Sequence, residues 1–360
     1  GTLPQPWLGM LAQRWGPERI IVTSLAWSGL FMGCIGLTSS FWMVLVLAGL
    51  GGIGGGAFHP ADSMSVAQDS SSCDGSQRRG AAMSLFSVGG NLGSAISPAL
   101  MAVALGLFGL PGTGAFVIIG LGSALLVWRI FAPSALATPS GTTVQESLPL
   151  YTQSKQRTEH QENLVLPLAL IVIFAMARSW FQLSITSFLP TWTAESLKST
   201  AWPLVLLMIS VGIGSLSGGR LSDHIGRTRT VLGAMSIAIP AHLAFIHAPP
   251  AIQLVALAVL GAALGATLPV AIVMAQERRP HAPGVAAGLV IGLGGLPAGI
   301  GASVTGLVAD SSSLKAALNL NVLALIVCVL AVIALALLEQ GGERRKPLKE
   351  LHEKPQKLPK

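Results

Sequence analysis

Residues 219–229 read GRLSDHIGRTR, a short polar stretch that lies between two long apolar segments. A similar stretch, GMLAQRWGPER, occupies residues 9–19, which is 210 positions earlier in the chain. A second pattern, two glycines and a proline spaced four residues apart, also occurs twice, with an offset of 209 positions; its members are Gly52, Gly56 and Pro60, then Gly261, Gly265 and Pro269. Two patterns with almost the same offset indicate an internal repeat, so the sequence predicts two related halves.

The composition indicates a membrane protein. Only 10% of the residues are charged, whereas a soluble domain has about 25%. The mean hydropathy is +0.67. Glycine accounts for 42 of the 360 residues, and glycine is frequent in membrane helices because small residues let helices approach closely in lipid. A soluble domain of this length would need far more polar surface.

Ten segments are apolar over the length of about 20 residues that a membrane-spanning helix needs. Helices are expected for all ten, because a helix satisfies its backbone hydrogen bonds within its own segment. The alternating polarity of membrane-spanning β-strands is absent from these stretches. The segments are 19–39, 41–60, 81–108, 113–132, 164–190, 202–219, 230–248, 251–275, 285–309 and 316–338.

A polar stretch at 133–163 divides the segments unevenly, and we interpret it as a flexible linker. The predicted units are a first half at 1–132, the linker, a second half at 164–338 and a tail at 339–360. When the halves are aligned, 164–190 and 202–219 lack a full partner upstream. We therefore expect two six-helix halves, with about two helices ahead of residue 1 and ten full spans in this chain. The alternative is a natural ten-span protein.

Basic residues predict the orientation of the chain in the membrane. Of the 22 lysines and arginines, 19 fall on the side of the linker and the tail, Lys198 and Lys315 fall on the other side, and Arg178 lies within a span. Such an excess marks the cytoplasmic side of a membrane protein. It also accounts for the net charge of +7 without a nucleic-acid partner.

Several motifs together resemble one transporter family. Gly219, Asp223, Gly226 and Arg227 form the pattern Gly-x-x-x-Asp-x-x-Gly-Arg, which resembles the loop motif of the major facilitator superfamily. Further stretches resemble the fosmidomycin-resistance branch of that superfamily. They are QPWLG at 5–9, GAFHPADSMSVAQD at 56–69, RRGAAMSLFSVGGNLGSAISPAL at 78–100, VMAQERRP at 273–280 and GLVIGLGGLPAGIGASVTGLVAD at 288–310.

The resemblance implies a fold of two six-helix halves and a secondary active transporter working by alternating access. It implies a multi-pass protein of the bacterial inner membrane, a monomer that exports small drug-like molecules such as fosmidomycin in exchange for protons. Uptake or exchange of another small solute, such as an anionic metabolite, is the alternative, and a receptor or scaffold without transport is a further one. No enzyme activity, cofactor or metal site is expected, because the chain has no HExxH, GxSxG or Walker pattern.

Arg178 is the basic residue that lies deepest within an apolar segment, and a cation there costs at least about 2.5–3.5 kcal/mol unless it finds a partner or water. Gln182 follows four residues later on the same helix face. One interpretation is a contact for substrate or protons. The alternative is an arginine hydrogen-bonded to the carbonyls of a neighbouring helix.

Three further polar residues are candidates for the substrate or proton pathway. His59 precedes Pro60 near the end of its segment, with Asp62 close by. Histidine changes charge near neutral pH, which suits a proton switch. An interfacial histidine beside a helix-ending proline is the alternative. Asn91 lies in the glycine-rich stretch GGNLGSAISP.

Glycines at helical spacing predict close helix contacts. Gly89 and Gly93 form such a face, and Pro98 after them predicts a bend. A matching face is expected at Gly294 and Gly295 in the other half. Gly52 and Gly56, with Gly261 and Gly265, are also expected to contact other helices.

The two polar stretches are expected to form a gate between the halves. Asp223 should meet the positive N-terminal end of the helix that begins near Gly80. The first copy has Gln13 where the family motif has an aspartate, so its contact should be weaker. The remaining residues predicted for the gating loops are Gly9, Gly16, Arg78, Arg79 and Arg229.

Overall fold

The computed structural model describes residues 2–72, 79–137, 153–198 and 202–352, and within these ranges the chain is helical apart from short turns. The helices of the first half are α1 (Gln5–Trp15), α2 (Pro17–Gly33), α3 (Phe41–Ser72), α4 (Arg79–Phe108) and α5 (Ala115–Ala137). The remaining helices are α6 (Gln153–Ser196), α7 (Trp202–Ile225), α8 (Arg227–His247), α9 (Pro250–Gly265), α10 (Leu268–Arg278), α11 (Pro283–Gly288), α12 (Gly294–Ser311), α13 (Leu314–Leu320) and α14 (Val322–His352).

The helices confirm the predicted all-helical membrane architecture. Within the described ranges, nine helical segments are long and apolar enough to cross a membrane, and each coincides with a predicted span. The tenth predicted span, 81–108, is occupied by α4. Among the described helices, three spans consist of consecutive helices: α9 and α10 share Pro250–Arg278, α11 and α12 share Pro283–Ser311, and α13 and α14 share Leu314–Gln340. The two helices expected ahead of residue 1 stay a prediction.

Helices extend into the predicted linker from both ends. Helix α5 ends at Ala137 and α6 begins at Gln153, whereas the predicted linker runs from 133 to 163. Its central part, 138–152, lies outside the described residues. Helix α14 likewise continues past 339, the predicted start of the tail, to His352.

The repeat detected in the sequence is visible in the backbone of the two polar loops. Gly16 is the single residue between α1 and α2, with φ 88° and ψ 136°. Gly226 is the single residue between α7 and α8, with φ 94° and ψ 150°. Side chains disfavour this positive-φ region, so a glycine is needed at both positions. The same tight reversal therefore occurs at equivalent points of both halves.

Small residues bring α7 and α9 into backbone contact, which places the second half's repeat motif at a helix interface. A Cβ atom on Gly261 would lie 2.8 Å from the Cβ of Ser210, and one on Gly265 would collide with the carbonyl of Val211. Gly214 and Gly218 of α7 approach α9 and the turn that follows it equally closely. In the first half, Gly56 is buried and Gly52 partly buried.

The apolar interior is larger in the second half. Phe174, Phe181 and Phe245 are among its largest fully buried side chains. Many large apolar side chains on the outer faces of the helices are exposed, for example Ile118 and Leu330. A membrane supplies the apolar surroundings that such faces need, since lipid tails are as apolar as leucine.

Gly226 offers a direct test of the loop geometry. We expect Gly226→Ala to lower the free energy of unfolding by about 1–3 kcal/mol, because alanine is strained at this φ and ψ. Gly233→Ala is the matched control, since Gly233 lies within α8 and a Cβ atom there would meet no neighbouring atom within 4 Å. Alanine there should be neutral or stabilising by up to about 1 kcal/mol.

Thermal unfolding of the purified chain in detergent measures both changes. Equal melting temperatures for the two variants would contradict the strain at Gly226.

Candidate functional site

The carboxylate of Asp223 caps the N-terminus of α4. Its two oxygens accept hydrogen bonds from the backbone amides of Gly80, at 3.1 Å, and Ala81, at 3.0 Å. The first amides of a helix have no partner within the helix, and the N-terminal end carries a partial positive charge. A carboxylate therefore satisfies both requirements at once, and it joins α7 to α4 across 142 positions of the chain.

Glycines allow the backbones to meet beside this cap. A Cβ atom on Gly80 would lie 2.6 Å from the carbonyl oxygen of Gly219, and one on Gly219 would collide with Ser84. Any side chain at these positions would push α4 and α7 apart. The cap of Asp223 therefore depends on the absence of side chains at both glycines.

Arg227 extends the contact from α7 to α10. Its guanidinium group lies 2.6 Å from Asp223 and 2.9 Å from Glu277, and it also donates to the hydroxyl of Ser222 at 3.0 Å. The side chains of Asp223 and Arg227 are 7% and 14% exposed. Little water screens this pair, so its attraction is stronger than that of an exposed ion pair, and part of that attraction offsets the cost of removing both groups from water.

A second ion pair at the same face includes a residue that the sequence did not single out. Glu339 of α14 accepts a hydrogen bond from Thr228 at 2.9 Å and forms an ion pair with Arg278. Glu339 falls in the predicted tail, where a solvated charge is the default expectation. The contact joins α14 to the start of α8 and the end of α10.

The first-half copy of the loop contacts the second half by close backbone packing, without an ion pair. A Cβ atom on Gly9 would collide with the carbonyl of Gly284, and one on Gly288 would lie 2.7 Å from the carbonyl oxygen of Gln5. Helix α1 thus packs on α11 as α7 packs on α4. Gln13 is partly buried, and its side chain has no hydrogen bond within the described residues.

A further hydrogen bond also connects the two halves. The side-chain amide of Gln276, in α10, donates to the carbonyl oxygen of Ser63, in α3, at 3.1 Å, and both residues are buried. We call the face formed by the α1–α2 and α7–α8 loops the loop face. The cap of Asp223, the approach of Gly9 to Gly284 and this hydrogen bond all join the two halves near the loop face.

The other arginines predicted for the gating loops differ in how much of each the structure describes. Arg229 is exposed and has no ion pair in the described part of the chain. Arg79 begins α4, and Arg78 lies outside the described residues.

Arg178 is buried against a break between two helices rather than facing an open space. It is 5% exposed. Its Nε atom donates to the hydroxyl of Thr267 at 2.9 Å, and Nη2 donates to the carbonyl oxygen of Leu264 at 3.0 Å. This geometry corresponds to the alternative in which a neighbouring helix provides the partners of the guanidinium group.

The other predicted pathway residues remain separate from Arg178. Gln182 has a buried side-chain oxygen without a hydrogen-bond partner among the described residues. His59 is exposed and contacts the ring of Phe58, with centroids 5.8 Å apart, while Asp62 and Asn91 are partly buried. Across the ranges that the structure describes, no hydrogen bond or ion pair connects any two of these five pathway residues.

One predicted glycine face has no packing partner within the described residues, so its packing stays a prediction. Gly89 and Gly93 are exposed, and no heavy atom lies within 4 Å of a Cβ atom at either position. Glycine spacing creates a smooth helix face, but nothing in the described part of the chain covers this one. Helix α4 continues through position 98, and the side chain of Pro98 lies outside the described residues.

The matching glycines of the second half do pack. A Cβ atom on Gly294 would lie 2.7 Å from the Cβ of Ala175, and one on Gly295 would lie 3.4 Å from Thr2. In the first half, the close contacts of α3 with α2 occur at Gly51 and Gly54, which the repeat pattern did not indicate.

Solved structures share this arrangement of helices. The chain aligns with the Escherichia coli fucose:proton symporter FucP with a TM-score of 0.70 and 15% identity, covering 93% of this chain and 88% of the symporter. It aligns with the human organic anion transporter MFSD10 with a TM-score of 0.66 and 16% identity, covering 91% and 80%. These likenesses concern the fold.

Sequence comparison finds two curated bacterial relatives. The fosmidomycin resistance protein of Escherichia coli is 29% identical over 279 residues, which is 75% of this chain and 66% of that protein. The MFS-type transporter YfnC of Bacillus subtilis is 26% identical over 269 residues, 73% of this chain and 64% of that protein. The chain thus spans slightly less than two thirds of the length of these relatives.

A family model agrees with the motifs and the fold. The model described as Major Facilitator Superfamily matches residues 2–302 and 172–359. The matches include both loop motifs, their glycine reversals and the contacts that join the halves. The chain therefore belongs to the Major Facilitator Superfamily, whose members are transporters and not enzymes.

Proposed function

We propose that this chain is a secondary active transporter that exports small drug-like molecules such as fosmidomycin in exchange for protons, by alternating access. The observation that carries the proposal is the set of contacts between the halves at the loop face. The relative named as a fosmidomycin resistance protein supports the substrate class. Rocking of one half against the other would break these contacts and open the loop face.

The contacts have the strength that a reversible gate needs. Loss of a capping carboxylate typically costs about 0.5–2 kcal/mol, and differences of this size shift a two-state equilibrium without locking it. The first-half contact has Gln13 instead of a carboxylate, so it contributes close packing but no charged interaction. Asp223 is therefore the residue that sets the strength of the gate, and Gly219, Gly226 and Arg227 give it its position.

The loop face is cytoplasmic in this proposal. The support is the excess of lysines and arginines on that side of the spans. The linker and the end of α14 then lie in the cytoplasm of a bacterium, and the protein is a multi-pass monomer of the inner membrane. Its partners are the solute, protons and lipid.

The proton pathway of the proposal includes His59 and Asp62 of α3. Both can change protonation state, and they lie within one turn of each other. Gln182 and Asn91 are polar residues that could contact the solute. Arg178 contributes through the helix break that it contacts rather than by binding the solute directly.

Two alternatives have less support. Uptake or exchange of an anionic metabolite was suggested by the charge of Arg178, but its guanidinium group already has partners in Thr267 and Leu264. A receptor or scaffold without transport would not need contacts between halves that are weak enough to open.

Drug susceptibility tests the function. Expressed in a bacterium that lacks its main efflux pumps, the chain should raise the inhibitory concentration of fosmidomycin within a panel of unrelated drugs. Asp223→Ala should reduce this protection, because the closed state at the loop face becomes less populated by roughly 2- to 30-fold.

Asp310→Ala is the matched control, since Asp310 is exposed at the far end of α12 from the gate. It should leave protection intact at equal membrane abundance. Protection against no drug in the panel, or equal effects of the two variants, would contradict the proposed export.

The pH dependence of transport tests the proton pathway. Efflux from proteoliposomes should vary with pH near neutrality in the native chain, and His59→Ala should flatten this profile because the titrating imidazole is gone. His281→Ala, at an exposed loop position, is the control. A native pH profile in His59→Ala would remove His59 from the pathway.

A further inference from the structure

The span Pro250–Arg278 is broken in the middle. Helix α9 ends at Gly265 and α10 begins at Leu268, so Ala266 and Thr267 belong to neither helix. Pro269 has no amide hydrogen, and it therefore cannot donate to the carbonyl of Gly265 four residues earlier. A break within lipid requires other donors for the carbonyls that it frees.

Two neighbouring helices provide those donors. Ser215 of α7 donates to the carbonyl oxygen of Gly265 at 3.1 Å. The carbonyl oxygen of Leu264 accepts from the hydroxyl of Thr267 at 2.8 Å and from Nη2 of Arg178 at 3.0 Å. The carbonyls of Leu264 and Gly265 at the break thus receive donors from two neighbouring helices, α6 and α7.

Arg178 brings a positive charge to the C-terminal end of a half-helix. That end carries a partial negative charge, so a cation is favoured there. In other transporters with discontinuous helices, such carbonyl ends coordinate free cations. Here a guanidinium group occupies the equivalent place, and Thr267 fixes its second donor, Nε, at 2.9 Å.

The two pieces of the broken span are attached to different parts of the protein. Helix α9 is in backbone contact with α7 of its own half through Gly265. Helix α10 carries Gln276, which donates to Ser63 of the first half, and Glu277, which pairs with Arg227 of the gate. A change of angle at the break would therefore move the contacts between the halves.

We propose that Arg178 is a tethered cation that sets the angle between α9 and α10, and that it acts on transport as a positioning residue through this break. The consequence for transport depends on the proposed function, but the clamp on the break does not. Thr267 and Ser215 are its partners on the broken span and on α7. The ligand that the break would accept without Arg178 is a guanidinium ion.

Amide hydrogen exchange of the full chain, without substrate, tests the clamp. Arg178→Ala should speed exchange across 262–270 by about tenfold, because a charged hydrogen bond to the break is lost. Millimolar guanidinium chloride should restore slow exchange, whereas equal sodium chloride should not. Arg129→Ala, which removes an exposed arginine of α5, should exchange like the native chain.

Variants of Thr267 provide an independent test of the clamp in case Arg178→Ala does not fold. Thr267→Val should speed exchange at the same segment, while Thr267→Ser, which retains the hydroxyl, should not. Thr186→Val is the matched control, because its hydroxyl bonds to its own helix, α6. Native exchange rates in Thr267→Val, or no rescue of Arg178→Ala by guanidinium, would overturn the proposal.

Transport kinetics separate positioning from substrate binding. Arg178→Lys should lower the turnover number with little change in KM, since lysine provides one charge but not the two fixed donors. A large rise in KM with native exchange at the break would instead make Arg178 a substrate contact. If the native chain transported nothing while exchange behaved as expected, only the proposed function would fail.

Discussion

Backbone contact between helices at glycine is the constraint on which this structure depends. In lipid there is no hydrophobic force between helices, so their association depends on close packing and on the hydrogen bonds that packing makes possible. The approach of Gly80 to Gly219 is what brings the amides of α4 within reach of Asp223. The shorter contact of Gly9 with Gly284 repeats that approach without the charge. Close packing at glycine is therefore the precondition, and the polar interactions that it permits strengthen the contact and fix its geometry.

Two charged groups lie where backbone amides or carbonyls have no hydrogen-bond partner within their own helix. Asp223 meets the unpaired amides at the start of α4, and Arg178 meets the freed carbonyls at the end of α9. Both pairings follow the sign of the helix dipole. A charge so placed has a fixed partner, which lowers the cost of burying it. The two sites are also the points at which the halves, or two pieces of one span, would change their relative angle.

Much of the fold could be predicted from the sequence, because its signals are local. The length of each apolar segment predicts a membrane span. The motif Gly-x-x-x-Asp-x-x-Gly-Arg locates the tight turn between two helices, where the positive φ of Gly226 requires a glycine. The partners of the charges were harder to predict. Leu264 lies 86 positions from Arg178, and proximity over that distance is a property of packing. Glu339 looked like part of a solvated tail, yet it is paired. Gly89 and Gly93 show a second limit of sequence-based prediction. Their spacing predicts a smooth helix face, but it does not predict which element covers that face.

The carboxylate of Glu339 links three helices, because it accepts from Thr228 at the start of α8 and pairs with Arg278 at the end of α10. The last long helix is thereby coupled mechanically to the segments that would shift during each cycle. A fluorophore attached just beyond this anchor would report such shifts optically, far from any bound solute. The same coupling means that a bulky fusion at this end of the chain could bias the cycle that it is meant to observe.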